Sequence, residues 1–255
     1  TDSLKNAITE KTKVIIPVHL YGISCEMDEI INIAKENNLS IIEDASQGVG
    51  VFYKNKHVGL FGEFGILSYY GNKTITTGEG GVVLTKEKVL RDKIYMLKNH
   101  GRMTKGTFIH ETLGWNFSFT EMQAAIGISQ MNKLDKIINK KSKLYQKYSE
   151  NIVSNNIKMK NVPKTTTSPV HWFSNVVCED SEHLQNFLKT FGIPSRRIFY
   201  PLNKQPCLIN NKNVLNDMQD FNNSEKAFKS ILSLPSSILM SEEQFNYIIE
   251  KINQY

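Results

Sequence analysis

The stretch from Val14 to Asp44 constrains the fold more than any other part of the chain. Val14-Ile15-Ile16-Pro17-Val18 is a short β-branched run, Tyr21-Gly22 reads as a turn, and Met27, Ile30, Ile31 and Ala34 recur at helical spacing. Asn37-Asn38 ends that helix, and Leu39-Ser40-Ile41-Ile42-Glu43 forms a second buried strand. Periodicity that passes from strand to helix and back predicts a βαβ unit, which requires parallel strands and places the chain in the α/β class. Asp44 then sits at the carboxyl end of the second strand, the edge at which open α/β sheets bind ligands.

The same alternation continues. Phe64 to Tyr70 reads as another buried strand, Val82-Val83-Leu84-Thr85 as the next, and Val89, Leu90, Ile94 and Leu97 as one face of a helix stopped by His100-Gly101. Lys73 lies in the small-residue loop between the two strands. Thr120-Glu121-Met122-Gln123 is a capping box that opens a helical region to about Asn151. Near Asn155 the pattern dissolves into Lys, Asn, Thr and Pro up to Pro169, which suggests a boundary between a large domain, 1–153, and a small α+β domain, 154–255. The latter carries a strand from His171 to Cys178, a helix from Ser181 to Phe191, an Asn-rich loop over 203–223, and a last helix capped by Ser241 and Gln244.

Composition narrows the class. The 255 residues contain no apolar run of membrane-spanning length, and the start Thr1-Asp2-Ser3-Leu4-Lys5 has no signal-peptide character, so a cytoplasmic protein without membrane contact is expected. Three scattered cysteines without a CxxC pair fit a reducing compartment and indicate neither a disulfide framework nor zinc. The net charge of +6 suits an anionic partner; the lysines are spread along helices without interleaved aromatics, so a phosphorylated small molecule is expected and nucleic acid is not.

Several chemistries are excluded by spacing. Gly78-Glu79-Gly80-Gly81 lacks the GxGxxG pattern and precedes a strand, and Asn72 stands where a Walker loop needs Gly before Lys73. There is no HExxH and no GxSxG elbow, and no metal is expected. What remains is Asp44 with Gln47 three residues on, Ser68 at another strand end, and Lys73. A lysine alone is an ordinary surface residue. Between two core strands its amine can be desolvated and its pKa lowered, as a Schiff-base lysine requires, and Asp44 is placed to hold a proton on a pyridine nitrogen.

These residues sit in motifs that carry a resemblance: Val18-His19-Leu20-Tyr21-Gly22, Glu43-Asp44-Ala45-Ser46-Gln47, Thr76-Thr77-Gly78-Glu79-Gly80-Gly81, Asn99-His100-Gly101, and Glu121-Met122-Gln123-Ala124-Ala125-Ile126-Gly127, with Leu232-Ser233-Leu234-Pro235-Ser236-Ser237 later. Together they resemble the DegT/DnrJ/EryC1/StrS family of pyridoxal 5′-phosphate (PLP)-dependent nucleotide-sugar aminotransferases, of perosamine-synthase type. The resemblance implies a fold-type I transferase: a mostly parallel sheet flanked by helices, with a smaller C-terminal domain. It makes Lys73 the PLP-bearing lysine and proton carrier, Asp44 the partner of the ring nitrogen, Gln47 a neighbour of the ring and its phenolic oxygen, and Ser68 a phosphate ligand. It makes Asn116 a phosphate ligand offered to the neighbouring subunit of a homodimer. His19 is implied as part of the pocket wall on the substrate side.

Lysine at position 73 favours aminotransfer, because related sugar dehydratases have histidine there. The implied reaction moves an amino group from glutamate to a nucleotide-linked keto-deoxysugar. The alternatives are a non-catalytic dimerisation or regulatory relative, an inactive truncated fragment, or a PLP-dependent sugar dehydratase. Relatives extend further at the N-terminus, in a part that supplies early helices, some of the sheet and another phosphate-binding loop. Ser118-Phe119 departs from the Arg-Met that many relatives carry there. Arg196, Arg197 and Tyr200 lie where the family closes on substrate; the arginines suit a diphosphate and suit equally the role of rim charges.

Overall fold

The computed structural model describes residues 1–104, 106–209 and 221–255. In chain order the elements are α1 (Asp2–Ala7), β1 (Val14–Ile15), α2 (Met27–Glu36), β2 (Ser40–Asp44), β3 (Phe52–Tyr53), β4 (Lys56–His57), β5 (Phe64–Ser68), β6 (Gly81–Leu84), α3 (Lys88–Lys98), α4 (Glu121–Met131) and α5 (Leu134–Asn151). They continue with β7 (Lys158–Met159), β8 (Thr166–Ser168), β9 (Ser174–Val177), α6 (Ser181–Thr190), β10 (Arg196–Arg197), α7 (Pro206–Ile209), α8 (Asn222–Ser230), β11 (Ile231–Leu234) and α9 (Glu242–Asn253).

The first unit comprises residues 1–138 and 163–170. Its main sheet has the order β1-β2-β5-β6, with β1, β2 and β5 parallel and β6 antiparallel to β5. The βαβ unit is present as expected. Met27, Ile30, Ile33 and Ala34 of α2 are buried and join Ile15, Ile41, Ala45, Val51, Tyr53 and Leu67 in one apolar cluster. Each of the Ile, Leu, Val and Met side chains removed from water stabilises by roughly 1.5–3 kcal/mol. The strands alternate between covered and open positions: Ile15, Ile41 and Leu67 are buried, whereas Ile16, Val18, Ile66 and Val83 are exposed. One face of the sheet is therefore covered within this unit, and the other is open.

Gly65 shows how tightly the covered face is packed. A Cβ there would lie 2.0 Å from the carbonyl oxygen of Gly59, a backbone contact that cannot yield cheaply. A small second sheet, β4-β3-β8, starts from a two-residue turn at Lys54 and Asn55, with φ of 44° and 68°, the type I′ geometry that matches strand twist.

The second unit comprises residues 139–162 and 171–255. The division into these units falls at 138/139, where the sequence suggested a boundary at 153/154. The chain passes between units inside α5, and 163–170 returns to the first unit because its backbone finds partners there. β8 pairs with β3, Val170 N donates to Gly22 O at 3.1 Å, and Thr165 Oγ1 donates to Glu26 Oε1 at 2.6 Å. Loss of periodicity near Asn155 marked the end of a helix.

Within the second unit an antiparallel sheet, β10-β11-β9-β7, shares a core with helices: Tyr148, Ile157, Val176, Leu184, Leu188, Leu232, Phe245, Ile248 and Ile252. The Tyr148 hydroxyl donates to Pro235 O at 2.9 Å, so its one polar group is satisfied. Asp180 caps α6 by accepting from Glu182 N and His183 N, and Ser241 with Gln244 closes the expected capping box on α9.

Candidate active site

Because β1, β2 and β5 are parallel, their carboxyl ends gather on one edge, and the antiparallel β6 begins there. Asp44, the last residue of β2, pairs with Ile66, and Ser68, the last of β5, pairs with Gly81 of β6. Asp44, Ile66 and Ser68 thus have the same parity and lie on the open face of the sheet. The Asp44 Oδ1 accepts from Ser46 N at 3.0 Å, and the Ser68 Oγ accepts from Tyr70 N at 3.3 Å.

Lys73 is carried on the loop of residues 69–80 that joins β5 to β6 at this edge. Tyr69 N donates to Gly80 O and Thr77 N to Tyr69 O, both at 2.9 Å, and Lys73 N donates to Tyr70 O at 3.0 Å. Thr74, Ile75 and Thr77 are buried, so the loop is anchored just after Lys73. Burial of the Lys73 amine pulls its pKa below the ordinary lysine value, and the nearby Asp44 carboxylate opposes that shift. An amine and a carboxylate delivered by different elements therefore sense each other across the strand ends.

Three residues beyond Asp44, Gln47 Oε1 accepts from Tyr21 N at 2.6 Å. His19 stands apart from its expected place on the substrate side. It is fully buried; its Nδ1 accepts from Cys25 N at 3.1 Å, so its Nε2 carries the proton toward Glu43 Oε2, also at 3.1 Å. Both nitrogens are used inside the protein, and neither is offered to a substrate.

Glu43 is the residue that sequence reasoning missed. It is fully buried and also accepts from the backbone N–H groups of Gly59 (2.6 Å), Phe61 (2.6 Å) and Gly62 (2.8 Å). Burial by itself raises its pKa, but the His19 bond and the three backbone donors outweigh it and hold the carboxyl below the ordinary range. A carboxylate at the covered parity of β2, two residues from buried Ile41, was the signal that such partners had to exist.

A cleft of about 1240 Å³ opens against the 69–80 loop, lined among others by Tyr69, Thr77, Gly80, Asn116, Phe119 and Met131. Of the expected site residues it contains Asn116 and none of Asp44, Gln47, Ser68 or Lys73. Asn116 is exposed between Trp115 and Phe117, whose rings stack with centroids 6.1 Å apart, and its backbone bridges to Asn99.

The remaining expected residues belong to the second unit. Arg197 is consumed there: Nη1 donates to Glu182 Oε2 at 2.6 Å, Nε to Ser181 Oγ at 3.2 Å, and its guanidinium lies 3.9 Å from the centre of the Phe228 ring. Those partners make it an internal clamp in place of a diphosphate ligand. Arg196 is exposed beside Phe199, and Tyr200 packs edge-on against Phe228. The centre of the Asn-rich loop, 210–220, lies outside the described residues. No group of three or more His, Cys, Asp or Glu suited to a metal occurs among the described residues, and no helix there is long and apolar enough to cross a membrane.

The donor set at the sheet edge fits PLP. Condensation with an aldehyde needs a neutral amine, which a desolvated Lys73 supplies more readily; a pyridinium needs a carboxylate, and a phosphate needs hydroxyl and backbone donors.

Comparison with known proteins agrees with that chemistry. The chain is 36% identical over 257 residues to GDP-perosamine synthase of Escherichia coli O157:H7, covering 99% of this chain and 68% of that protein. It is 32% identical over 200 residues to the UDP-N-acetyl-3-dehydro-alpha-D-glucosamine 3-aminotransferase of Acidithiobacillus ferrooxidans, covering 78% of this chain and 53% of that one. Among solved structures, S. venezuelae DesV in complex with a ketimine intermediate superposes with a TM-score of 0.89 at 27% identity, covering 98% of this chain and 67% of DesV. The chain thus spans between about half and two thirds of the length of these relatives. Residues 1–253 match one family as a whole, and the chain belongs to it: the DegT/DnrJ/EryC1/StrS aminotransferases, enzymes that work with PLP.

Proposed function

We propose that this chain carries the lysine-bearing site of a sugar aminotransferase that takes an amino group from glutamate and delivers it to a nucleotide-linked keto-deoxysugar. A 4-keto-6-deoxy sugar is the preferred acceptor, since the relatives include a GDP-perosamine synthase. The observation that carries the reading is the delivery of Asp44, Ser68 and the Lys73 loop to one edge of the sheet, where the Asp44 carboxylate acts on the desolvated Lys73 amine.

When bound, PLP supplies a conjugated pyridinium that takes up the electron pair released as a substrate C–H bond breaks. Asp44 would keep the ring nitrogen protonated, Ser68 would donate to the phosphate, and Gln47 would stand by the ring and its phenolic oxygen. The Lys73 amine would hold the cofactor at its aldehyde carbon and, in its free neutral form, would take the proton from the substrate carbon and hand it on. A depressed pKa increases the fraction of Lys73 able to accept that proton near neutrality. Asn116 serves the phosphate of a second copy, which makes the working form a homodimer, and the positive net charge favours a diphosphate-bearing substrate.

The test is direct. PLP added to the purified protein gives a yellow absorption band, borohydride fixes the cofactor's mass on the Lys73 peptide, and Lys73→Ala abolishes both. Amination of one member of a panel of nucleotide keto-sugars, dependent on glutamate, identifies the acceptor. A colourless protein with no mass on Lys73 sinks the proposal and leaves a non-catalytic relative; product formed without an amino donor makes the enzyme a dehydratase.

A further inference from the structure

We infer that Gln123 is a positioning residue for Lys73: its side chain ties the capped start of α4 to the loop that carries the lysine. This inference rests on the reading of Lys73 given above.

Gln123 makes contacts in two directions. Its Oε1 accepts from Thr120 N at 3.0 Å and Thr120 Oγ1 at 2.9 Å, closing the capping box on α4. Its Nε2 donates to the carbonyl oxygen of Glu79 at 2.9 Å. The amide orientation is dictated by chemistry: turned over, it would place NH₂ against the Thr120 N–H and oxygen against the Glu79 carbonyl. A capping box needs only the acceptor half of this side chain. The donor half serves the loop.

Glu79 is where the loop most needs holding. It lies between Gly78 (φ 81°) and Gly80 (φ 145°), backbone conformations open chiefly to glycine, so the segment has little local preference for its observed path. Its carbonyl accepts a second bond from Thr77 Oγ1 at 2.7 Å. From the α4 side, Phe119 covers Gly80 so closely that a Cβ there would lie 2.4 Å from the ring, and Gly127 backs the Thr77 methyl, which lies 3.0 Å from where a Cβ would stand. Thr77 and Gly80 are in turn bonded through their backbones to Tyr69, which closes the base of the loop around Lys73. Glu79 O is therefore the point at which an α4 side chain hydrogen-bonds this segment, beside the packing of Phe119 and Gly127 against it.

The cap and the tie can be separated by one substitution. Gln123→Glu retains an acceptor for Thr120 and so retains the cap, but sets a carboxylate oxygen against the Glu79 carbonyl. Gln123→Met removes both functions, and Thr77→Val removes the second donor to the same carbonyl. Hydrogen exchange of the cofactor-free protein reads the loop directly: the Tyr69 and Thr77 amides should exchange about tenfold faster in Gln123→Glu, the factor expected for one lost hydrogen bond, while α4 amides stay as in the parent. Capture of PLP on Lys73, followed by borohydride fixation, should slow by a comparable factor. Unchanged exchange at Tyr69 and Thr77 in Gln123→Glu overturns the inference. If the parent fixes no cofactor on Lys73, the Lys73 reading fails instead, and exchange alone still judges the tie.

Discussion

Glu43 has no room to be neutral. Three backbone N–H groups and the His19 imidazole point at one carboxylate with no exposed surface, and the loop at Gly59, Phe61 and Gly62 takes its path from them. Glu43→Gln puts NH₂ where an acceptor is required and should destabilise the chain by about 3 kcal/mol, read from denaturant unfolding. The pH dependence has a definite sign. Since the folded-state pKa is depressed, this stabilisation is present above the unfolded carboxyl value of 4.5 and is lost as pH falls through the lower folded value; the variant lacks that component of acid unfolding. Asp44, one residue on, was legible in the sequence because a strand end in a βαβ unit is a recognisable place. Glu43 was not, since its meaning lies in donors sixteen to nineteen residues away that no local pattern announces.

Helix starts were read well because capping is local. Thr120 with Gln123 and Ser241 with Gln244 each satisfy backbone donors within one turn, and both boxes formed as the sequence implied. Ser241→Ala should therefore cost about 1 kcal/mol and lower the thermal midpoint, since no tertiary contact replaces the lost acceptor at Gln244 N. The β3–β4 hairpin was not read. Its turn is Lys54-Asn55, where the strongest sequence signal for a type I′ geometry is Asn-Gly or Asp-Gly, and its pairing with β8 joins residues more than a hundred positions apart. That long-range pairing is also why 163–170 could not be assigned from sequence: a Thr-rich stretch with no period of its own is a strand only when β3 is beside it. Gln123 lies between the two cases, its cap visible in four residues and its bond to Glu79 visible only once the loop is folded.

For the molecule as a whole, acid should be a greater threat than the carboxylates alone would make it. His171 in the second unit stacks on Tyr145 with ring centroids 3.7 Å apart, and burial, with the charge of Lys141 added, lowers its pKa from 6.5 to about 4. Lys141 donates to Trp172 O at 3.0 Å, and burial brings its own pKa to about 8. Between pH 6.5 and 4 the unfolded chain binds a proton at His171 that the folded chain refuses, so stability falls as pH drops through that window. His171→Phe keeps a ring against Tyr145 and should flatten the loss, as measured by thermal midpoints at pH 7, 5.5 and 4.5. The reversal of β6 has a different consequence, one of folding order. Ser68 pairs with Gly81, so the Lys73 segment is closed by its own neighbours in sequence, a hairpin of the kind that forms in roughly 1–10 μs. Asp44 reaches the same edge only through parallel pairing, which is slower because a crossover must be ordered first. The lysine's loop can thus take shape early and wait for the carboxylate, so that misfolded forms would be expected to retain the hairpin and lack the pair.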